Sequence, residues 1–550
     1  MSSNTLIFTT TYNERANIGP LIDQIVAVAP AADLLVVDDN SPDGTWDVLE
    51  EKRQLHPQLR CVKRPRKLGI GSAHKYALLY AMREGYRTLV TMDADFSHSP
   101  ASIPALLAAH GPGTFVTGSR YCAGGRSDYT GYRNAVSRLG NVAARIAVGT
   151  RLRELTTYFR VFDVDTLRRL PLRMVAASGY SYGVELIRCL RGAGVELREV
   201  PIHFVDRTHG ASKIPRMQVL WSAIDLAKLM ARRLLRGQTR EPDVPASDAC
   251  VACGDRVLAM KHFGSAPDVT GTPAPAPSAA YRCTAVGTRR YPPVYVCLRC
   301  GLEQVPASLV PADLEARYAD VEDPDYLANA TARARTFHHA FDRIAAQLPS
   351  APGRLLDVGA YCGLFVAEAT RRGWTATGVE PSRWAAAYAR DTLGQNVLTG
   401  ELQTCRAALA PPYDVVTAWD VLEHVRDPHR FVAACADMLA PGGTLCLSTL
   451  DVSSVYARAL RTRWPWLMDM HIVYFDRATV ADMLSCHGFE LVHVSPYRHY
   501  ARAAYALRGI APSLPRPLAA SLRGIAAVLP SPSLVPVALG DIKLFVARKR

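Results

Sequence analysis

At 550 residues the chain is too long for one core, and roughly 100–200 residues per domain implies three or four units. Hydrophobic residues make up 49% and charged residues 21%, the balance of a globular rather than a disordered protein. The formal net charge of +14 gives a basic surface suited to phosphates, nucleotides, anionic headgroups or nucleic acid, and charge alone does not choose among them.

Thirteen cysteines, with Cys250/Cys253 and Cys297/Cys300 as the close pairs, form no small disulfide framework and point to a reducing compartment. The opening MSSNTLIFTTTYNER lacks a basic start and an apolar core, so no secretory signal is expected. No apolar run reaches the roughly 18 residues of a spanning helix, because Gly524–Gly540 is broken by Pro530, Pro532 and Pro536. A cytoplasmic protein is expected, with peripheral contact at the cytoplasmic membrane face as its one membrane option.

In chain order, TLIFTT, DLLVVDD, RTLVTMD and TFVTGS read as strands separated by helical or loop stretches. This alternation over residues 1–237 predicts an α/β domain with a mainly parallel sheet and a ligand site at the strand C-termini. Val219–Arg236 is an amphipathic helix, read either as a cap on that domain or as a helix lying on an anionic membrane. Residues 238–249 have a linker composition and residues 250–305 a small cysteine unit. A second α/β alternation fills 306–550, through GRLLDVGAYCG, ATGVE, YDVVTAWD, TLCLST and DIKLFVARK.

Asp38–Asp39 and Asp93/Asp95 both follow apolar runs, at strand ends. Two carboxylates at i and i+2 can hold a divalent cation that bridges a diphosphate. Alone this pattern is a common turn; here it is one of several matching pieces. TYNE (11–14), VVDDNSPDGT (36–45), KLGIGSAHKYAL (67–78), MDADFSHSP (92–100), GSRY (118–121), FRVF (159–162) and VPIHFVDRTHGASK (200–213) together resemble the dolichyl-phosphate mannosyltransferase branch of the family 2 glycosyltransferases. The resemblance implies a GT-A fold, an inverting mechanism, Mg²⁺ or Mn²⁺ and a nucleotide-sugar donor, GDP-mannose or UDP-glucose.

By motif, it places Tyr12, Glu14 and Asp39 at the nucleotide, and Asp93 with Asp95 at the metal. Arg120 and Arg133 grip phosphate, and Arg207 with Lys213 close over it, guanidinium forks being matched to phosphate oxygens. A polyprenyl phosphate acceptor is already anionic and needs positioning, whereas a glycan hydroxyl needs a base. Glu185 is either that base or a structural acid. Tyr158, where the family has glycine, and Gly183, where it has glutamine, leave sugar and acceptor open.

CVACG and CLRCG are two C-x-x-C-G knuckles, whose thiolates Cys250, Cys253, Cys297 and Cys300 supply the four ligands of a structural Zn²⁺. The glycine after each pair permits positive φ. A redox pair or metal-free knuckles are the alternatives.

LLDVGAYCGLF places Gly359 and Gly363 in a strand-to-helix turn that a cofactor can approach closely, and Glu380 ends the next strand, where a carboxylate binds ribose hydroxyls. With YDVVTAWDVLEHVRDP and LAPGGTLCLST, this set resembles the class I S-adenosylmethionine methyltransferases, and the cysteine unit narrows the likeness to zinc-ribbon enzymes acting on sugars. The match puts Asp357, Gly359, Gly363, Glu380 and Asp420 at the cofactor. His471 is the first candidate to act on the acceptor and His424 the second.

The expected architecture is therefore α/β, two doubly wound domains joined by a small zinc-ribbon unit. The expected function is hexose transfer plus sugar methylation on one chain. One degenerate head acting as a binding module is the runner-up. A nucleic-acid partner is not expected, since the basic charge comes without aromatic-interleaved stripes or a recognition motif.

Overall fold

The computed structural model describes residues 4–168, 170, 181–206, 248–262, 264, 282, 291–510, 516–528 and 534–550. They fall into two compact units, one built mostly from residues before 247 and the other mostly from residues after it.

In the first unit, β1 (Thr5–Thr11), β2 (Asp33–Asp38), β3 (Leu59–Lys63), β4 (Thr88–Thr91), β5 (Thr114–Ser119), β6 (Arg160–Asp163) and β7 (Glu196–Pro201) form a seven-stranded sheet. Their order is β3-β2-β1-β4-β6-β5-β7, and β6 runs antiparallel to both its neighbours while the other pairings are parallel. Leu6, Ile7, Phe8 and Leu34–Val37 are buried, as expected of central strands covered on both faces. Parallel pairing of Thr11 with Asp38, and of Phe8 with Thr91, brings the C-terminal ends of β1, β2 and β4 to one edge of the sheet. β3, β6 and β7 were not among the expected strands. LRCVK and ELREVP are charged edge strands and RVFD is four residues long, so none shows a sustained apolar run.

The cysteine unit contributes β8 (Leu258–His262), β9 (Val294–Cys297) and β10 (Glu303–Gln304). The methyltransferase-like segment contributes β11 (Arg354–Val358), β12 (Thr375–Glu380), β13 (Val397–Thr399), β14 (Tyr413–Trp419), β15 (Leu439–Leu450), β16 (Val473–Tyr474), β17 (Phe489–Pro496) and β18 (Ile542–Lys549). Seven of these make one sheet in the order β13-β12-β11-β14-β15-β18-β17, parallel except for β18, which is antiparallel to β15 and β17. The remaining β16 pairs with β10, completing a four-stranded sheet β8-β9-β10-β16. Distant sequence thus finishes the small sheet. Among the described residues no helix is long and apolar enough to cross a membrane.

Candidate functional sites

At the edge shared by β1 and β2, the Thr11 hydroxyl donates to Asp38 Oδ1 at 2.8 Å. Asn13 then turns the chain at φ +58°, and Glu14 accepts from Asn17 Nδ2 at 2.7 Å while its amide donates to Thr45 Oγ1 at 2.9 Å. Lys67 Nζ sits 3.9 Å from the Tyr12 ring centroid. Asp39 is buried; its Oδ1 accepts from Arg64 Nη1 and its Oδ2 from the Gly69 amide, both at 2.9 Å. Asp39 therefore anchors the 64–69 loop beside Tyr12 and Glu14. The fold brings these three sequence-identified residues together.

Beyond β4, Asp95 is buried and accepts from the Ser97 amide at 3.1 Å and hydroxyl at 2.6 Å, while the Asp93 side chain keeps 29% exposure. The Asp93 amide donates to His98 Nδ1 at 3.1 Å, so that nitrogen is bare and Nε2–H donates to Thr157 Oγ1 at 2.7 Å. Burial pushes the His98 imidazole down to about 4, against the pull of Asp95. A neutral ring thus clips the acidic turn to the loop before β6.

Arg120 is buried, with Nε 2.7 Å from Glu154 Oε2 and its guanidinium 4.1 Å from the Phe204 ring centroid. Arg133 is exposed on the helix Gly131–Val148, where Nη1 lies 3.3 Å from Asp206. The two arginines share no residue partner in these contacts. Glu185 is buried on the helix Ser181–Gly192. Both departures from the family pattern sit in packed surroundings. Tyr158 stacks on His74 at 4.1 Å, and a Cβ on Gly183 would stand 2.7 Å from Arg160 Nη1, which itself donates to the Gly183 carbonyl. Arg207, Lys213 and the amphipathic stretch Val219–Arg236 lie outside the described residues.

The ligand atoms of Cys250, Cys253, Cys297 and Cys300 lie within 4.8 Å of one another, with Cys253 and Cys297 sulfurs 3.6 Å apart. Tetrahedral thiolates about 2.3 Å from an ion stand at nearly that separation. Gly254 and Gly301 take φ +70° and +85°, the turn each knuckle needs.

In the second unit a cavity of about 1020 Å³ opens above the C-terminal ends of β11, β12 and β14. Gly359, at φ +76°, approaches so closely that a Cβ there would lie 2.5 Å from Val421 Cγ2, and Gly363 starts the next helix at φ +72°. Glu380 is buried and accepts from the Tyr361 and Ser382 amides, both at 2.8 Å; burial pushes its pKa up to about 7. Asp357 accepts from Thr417 Oγ1 at 2.6 Å, its other oxygen is buried without a partner, and burial raises it to about 8. Asp420, at φ +54°, accepts from Ser448 Oγ at 2.6 Å.

At the same cavity, His424 Nδ1 lies 2.9 Å from the Met470 carbonyl, and His471 Nδ1 2.7 Å from the Trp466 carbonyl. Their ring centroids are 4.8 Å apart. Between β14 and β16, Glu423 accepts from Thr449 Oγ1 at 2.8 Å; burial, then the Asp420 charge, pushes it up to about 8. The cradle fits S-adenosylmethionine: the glycine turn admits a close ligand, Asp357 has an unused buried oxygen, and carboxylates end adjacent strands. Pockets for one small molecule run roughly 300–1,000 Å³, so this volume also accommodates an acceptor group.

Residues 6–170 match the glycosyl transferase family 2 model and residues 330–494 a methyltransferase domain model. An undecaprenyl-phosphate mannosyltransferase of Micrococcus luteus is 35% identical over 205 residues, 37% of this chain and 84% of the relative. A polyprenol monophosphomannose synthase of Mycolicibacterium smegmatis is 33% identical over 216 residues, 39% of this chain and 82% of the relative. The chain belongs to glycosyl transferase family 2. Behind that domain it carries a methyltransferase domain. A solved methyltransferase from Thermotoga maritima, described as a possible histamine N-methyltransferase, covers 41% of this chain and 92% of its own at 18% identity and TM-score 0.27.

In this family 2 enzyme, sequence reasoning missed Arg64, His98, Glu154 and Arg160, each a buried partner of a motif residue or of the backbone beside one. His98 and Arg160 stand inside the motifs MDADFSH and FRVF, and a polar ring or charge next to apolar strand residues is the available signal. Glu154 lies in RLRELTTY, which carries no motif. The methyltransferase domain's Tyr326 was missed as well. Its ring meets the Tyr361 ring edge-on at 4.5 Å and packs with Cys362, covering the turn where small residues are usual.

Proposed function

We propose that the N-terminal domain transfers a hexose, mannose in the leading reading, from its nucleotide diphosphate to a polyprenyl phosphate with inversion. The observation that carries this is the strand-end pair Asp93/Asp95 beside the Tyr12–Glu14–Asp39 loop cluster, in a domain a third identical to enzymes named for polyprenyl phosphate and mannose. Tyr12, Glu14 and Asp39 hold the nucleotide, and Asp93 with Asp95 hold Mg²⁺ or Mn²⁺, which supplies charge neutralisation of the diphosphate when bound. Arg133, Arg207 and Lys213 receive phosphate oxygens, and Arg120, its charge already met by buried Glu154, packs against Phe204. The acceptor phosphate is anionic on arrival, so positioning and charge stabilisation suffice and no base is required. Glu185 is then a structural acid.

The C-terminal domain, in the same proposal, methylates a sugar hydroxyl. Asp357, Gly359, Gly363, Glu380 and Asp420 cradle S-adenosylmethionine, and His471 stands on the acceptor side. The helix Gly131–Val148 supports work at a membrane surface: Tyr132, Leu139 and Ile146 are 84%, 69% and 62% exposed on a helix that also carries Arg133, Arg138 and Arg145. Labelled GDP-mannose and UDP-glucose, offered with Mn²⁺ and undecaprenyl phosphate, test the transfer. Label is expected in the organic phase, from GDP-mannose first. Label appearing only on glycan hydroxyls, and lost in Glu185→Gln, would reverse the acceptor assignment.

A further inference from the structure

Glu423, His424 and His471 each offer one ligand atom, and those atoms lie within 4.8 Å of one another. All three residues line the methyltransferase cavity. We propose that this trio binds a divalent transition-metal cation, separate from the cysteine cluster, and that the cation is also a docking point for the methyl acceptor's oxygen. The proposal rests on the methyl-transfer reading of this cavity.

The hydrogen bonds around the rings carry the argument. A carbonyl oxygen only accepts, so His471 Nδ1 must donate to Trp466, while His424 Nδ1 faces both the Met470 carbonyl and the Tyr318 hydroxyl at 2.9 Å and donates to Met470 when it carries the ring proton. In that tautomer Nε2 is the lone-pair nitrogen of each ring. Thr449 likewise orients the Glu423 carboxyl, by donating to Oε2 at 2.8 Å. Three donors are thus each fixed from behind by an outer partner, the arrangement that aims ligands at a metal. Nitrogen and oxygen ligands stand about 2.0–2.2 Å from such an ion, so the trio must draw in by about an ångström to close around one. Two imidazoles and a carboxylate suit zinc, manganese or iron, and three protein ligands leave positions open to the cavity.

The acceptor class follows. A hydroxyl flanked by a second oxygen, as in a sugar diol, can occupy the open positions. Its proton passes to water, and its oxygen forms the new bond to the methyl carbon as the S–CH₃ bond breaks. S-adenosylhomocysteine leaves as a neutral thioether.

The test uses the full chain, carrying Asp95→Asn to silence the N-terminal carboxylate pair. The protein is stripped with chelator and reloaded with Co²⁺, followed by elemental analysis and absorption spectroscopy. The expected result is one equivalent with thiolate charge-transfer bands and a second with only weak d–d bands. His424→Ala and His471→Ala should lose the second alone and keep S-adenosylmethionine binding by calorimetry. Losing a ligand should weaken the site at least as much as the roughly 10–100-fold that losing an outer partner costs. Saturation at the thiolate equivalent in the His-intact protein would overturn the proposal without recourse to the His variants. Chelator-insensitive methyl transfer that nonetheless needs both histidines would overturn it too, in favour of proton transfer. Failure to bind S-adenosylmethionine in the His-intact protein would strike the methyl-transfer reading instead.

Discussion

Arg120 keeps its charge where water scarcely reaches, and Glu154 is the reason. The pair is buried and in contact at 2.7 Å, so removing the carboxylate leaves a guanidinium desolvated and unpaired. Breaking a buried pair from one side costs about 3–5 kcal/mol. Glu154→Gln is expected to lower the denaturation midpoint of the N-terminal unit by that order, measured in urea. Gly359 is constrained differently. Its φ of +76° costs a non-glycine residue about 1–2 kcal/mol, and the added Cβ meets Val421 at 2.5 Å. Gly359→Ala should therefore weaken S-adenosylmethionine binding by at least tenfold in calorimetry. Asp357 and Glu380 make the same site pH-sensitive. Burial raises them to about 8 and about 7, above their unfolded values, so their contribution to apo stability is full below about pH 4 and fades as pH rises to about 8. A cofactor that binds the carboxylate forms must displace those protons at low pH. Its thermal stabilisation of the protein should grow from pH 6 to pH 8; a shift that shrinks over that range would rule out ionised Glu380 as the ribose ligand.

At the scale of elements, strand ends and knuckles do most of the functional placement. The apolar runs of β1, β2, β4 and β11 were readable because both faces of each are covered, which leaves a continuous hydrophobic signal. Edge strands such as β3 and β7 alternate with solvent and carry charges, so the same signal is absent there. The cysteine knuckles were legible from spacing alone, since a metal turn imposes both the C-x-x-C interval and the following glycine. Their sheet was not, because β16 joins it from more than 160 residues downstream. If the four thiolates hold zinc, part of the folding energy of this unit is metal binding. Chelation, or Cys297→Ser, should release about one zinc per chain and lower the melting temperature. Unchanged melting after full zinc loss would reduce the knuckles to a vestige.

At the scale of the molecule, one chain carries two candidate sites on two sheets, each with its own core. Separate cores predict separable chemistry. Asp95→Asn should abolish sugar transfer and leave methyl transfer at the wild-type rate, and Gly359→Ala should do the reverse; assays of both activities on each full-length variant decide. Loss of both activities from either change would mean that the sites depend on one another.

Local sequence determined that there are two α/β units, which motifs close their strands, and which four cysteines can share an ion. These features are encoded by neighbours in the chain: apolar runs, tight turns and fixed ligand intervals. Tertiary structure alone decided that His98 clips the acidic turn, that Glu154 neutralises Arg120, that Arg160 packs over Gly183, and that His424 meets His471. Each of those pairings joins residues from different elements, and no periodicity within one element records which partner the packing will bring.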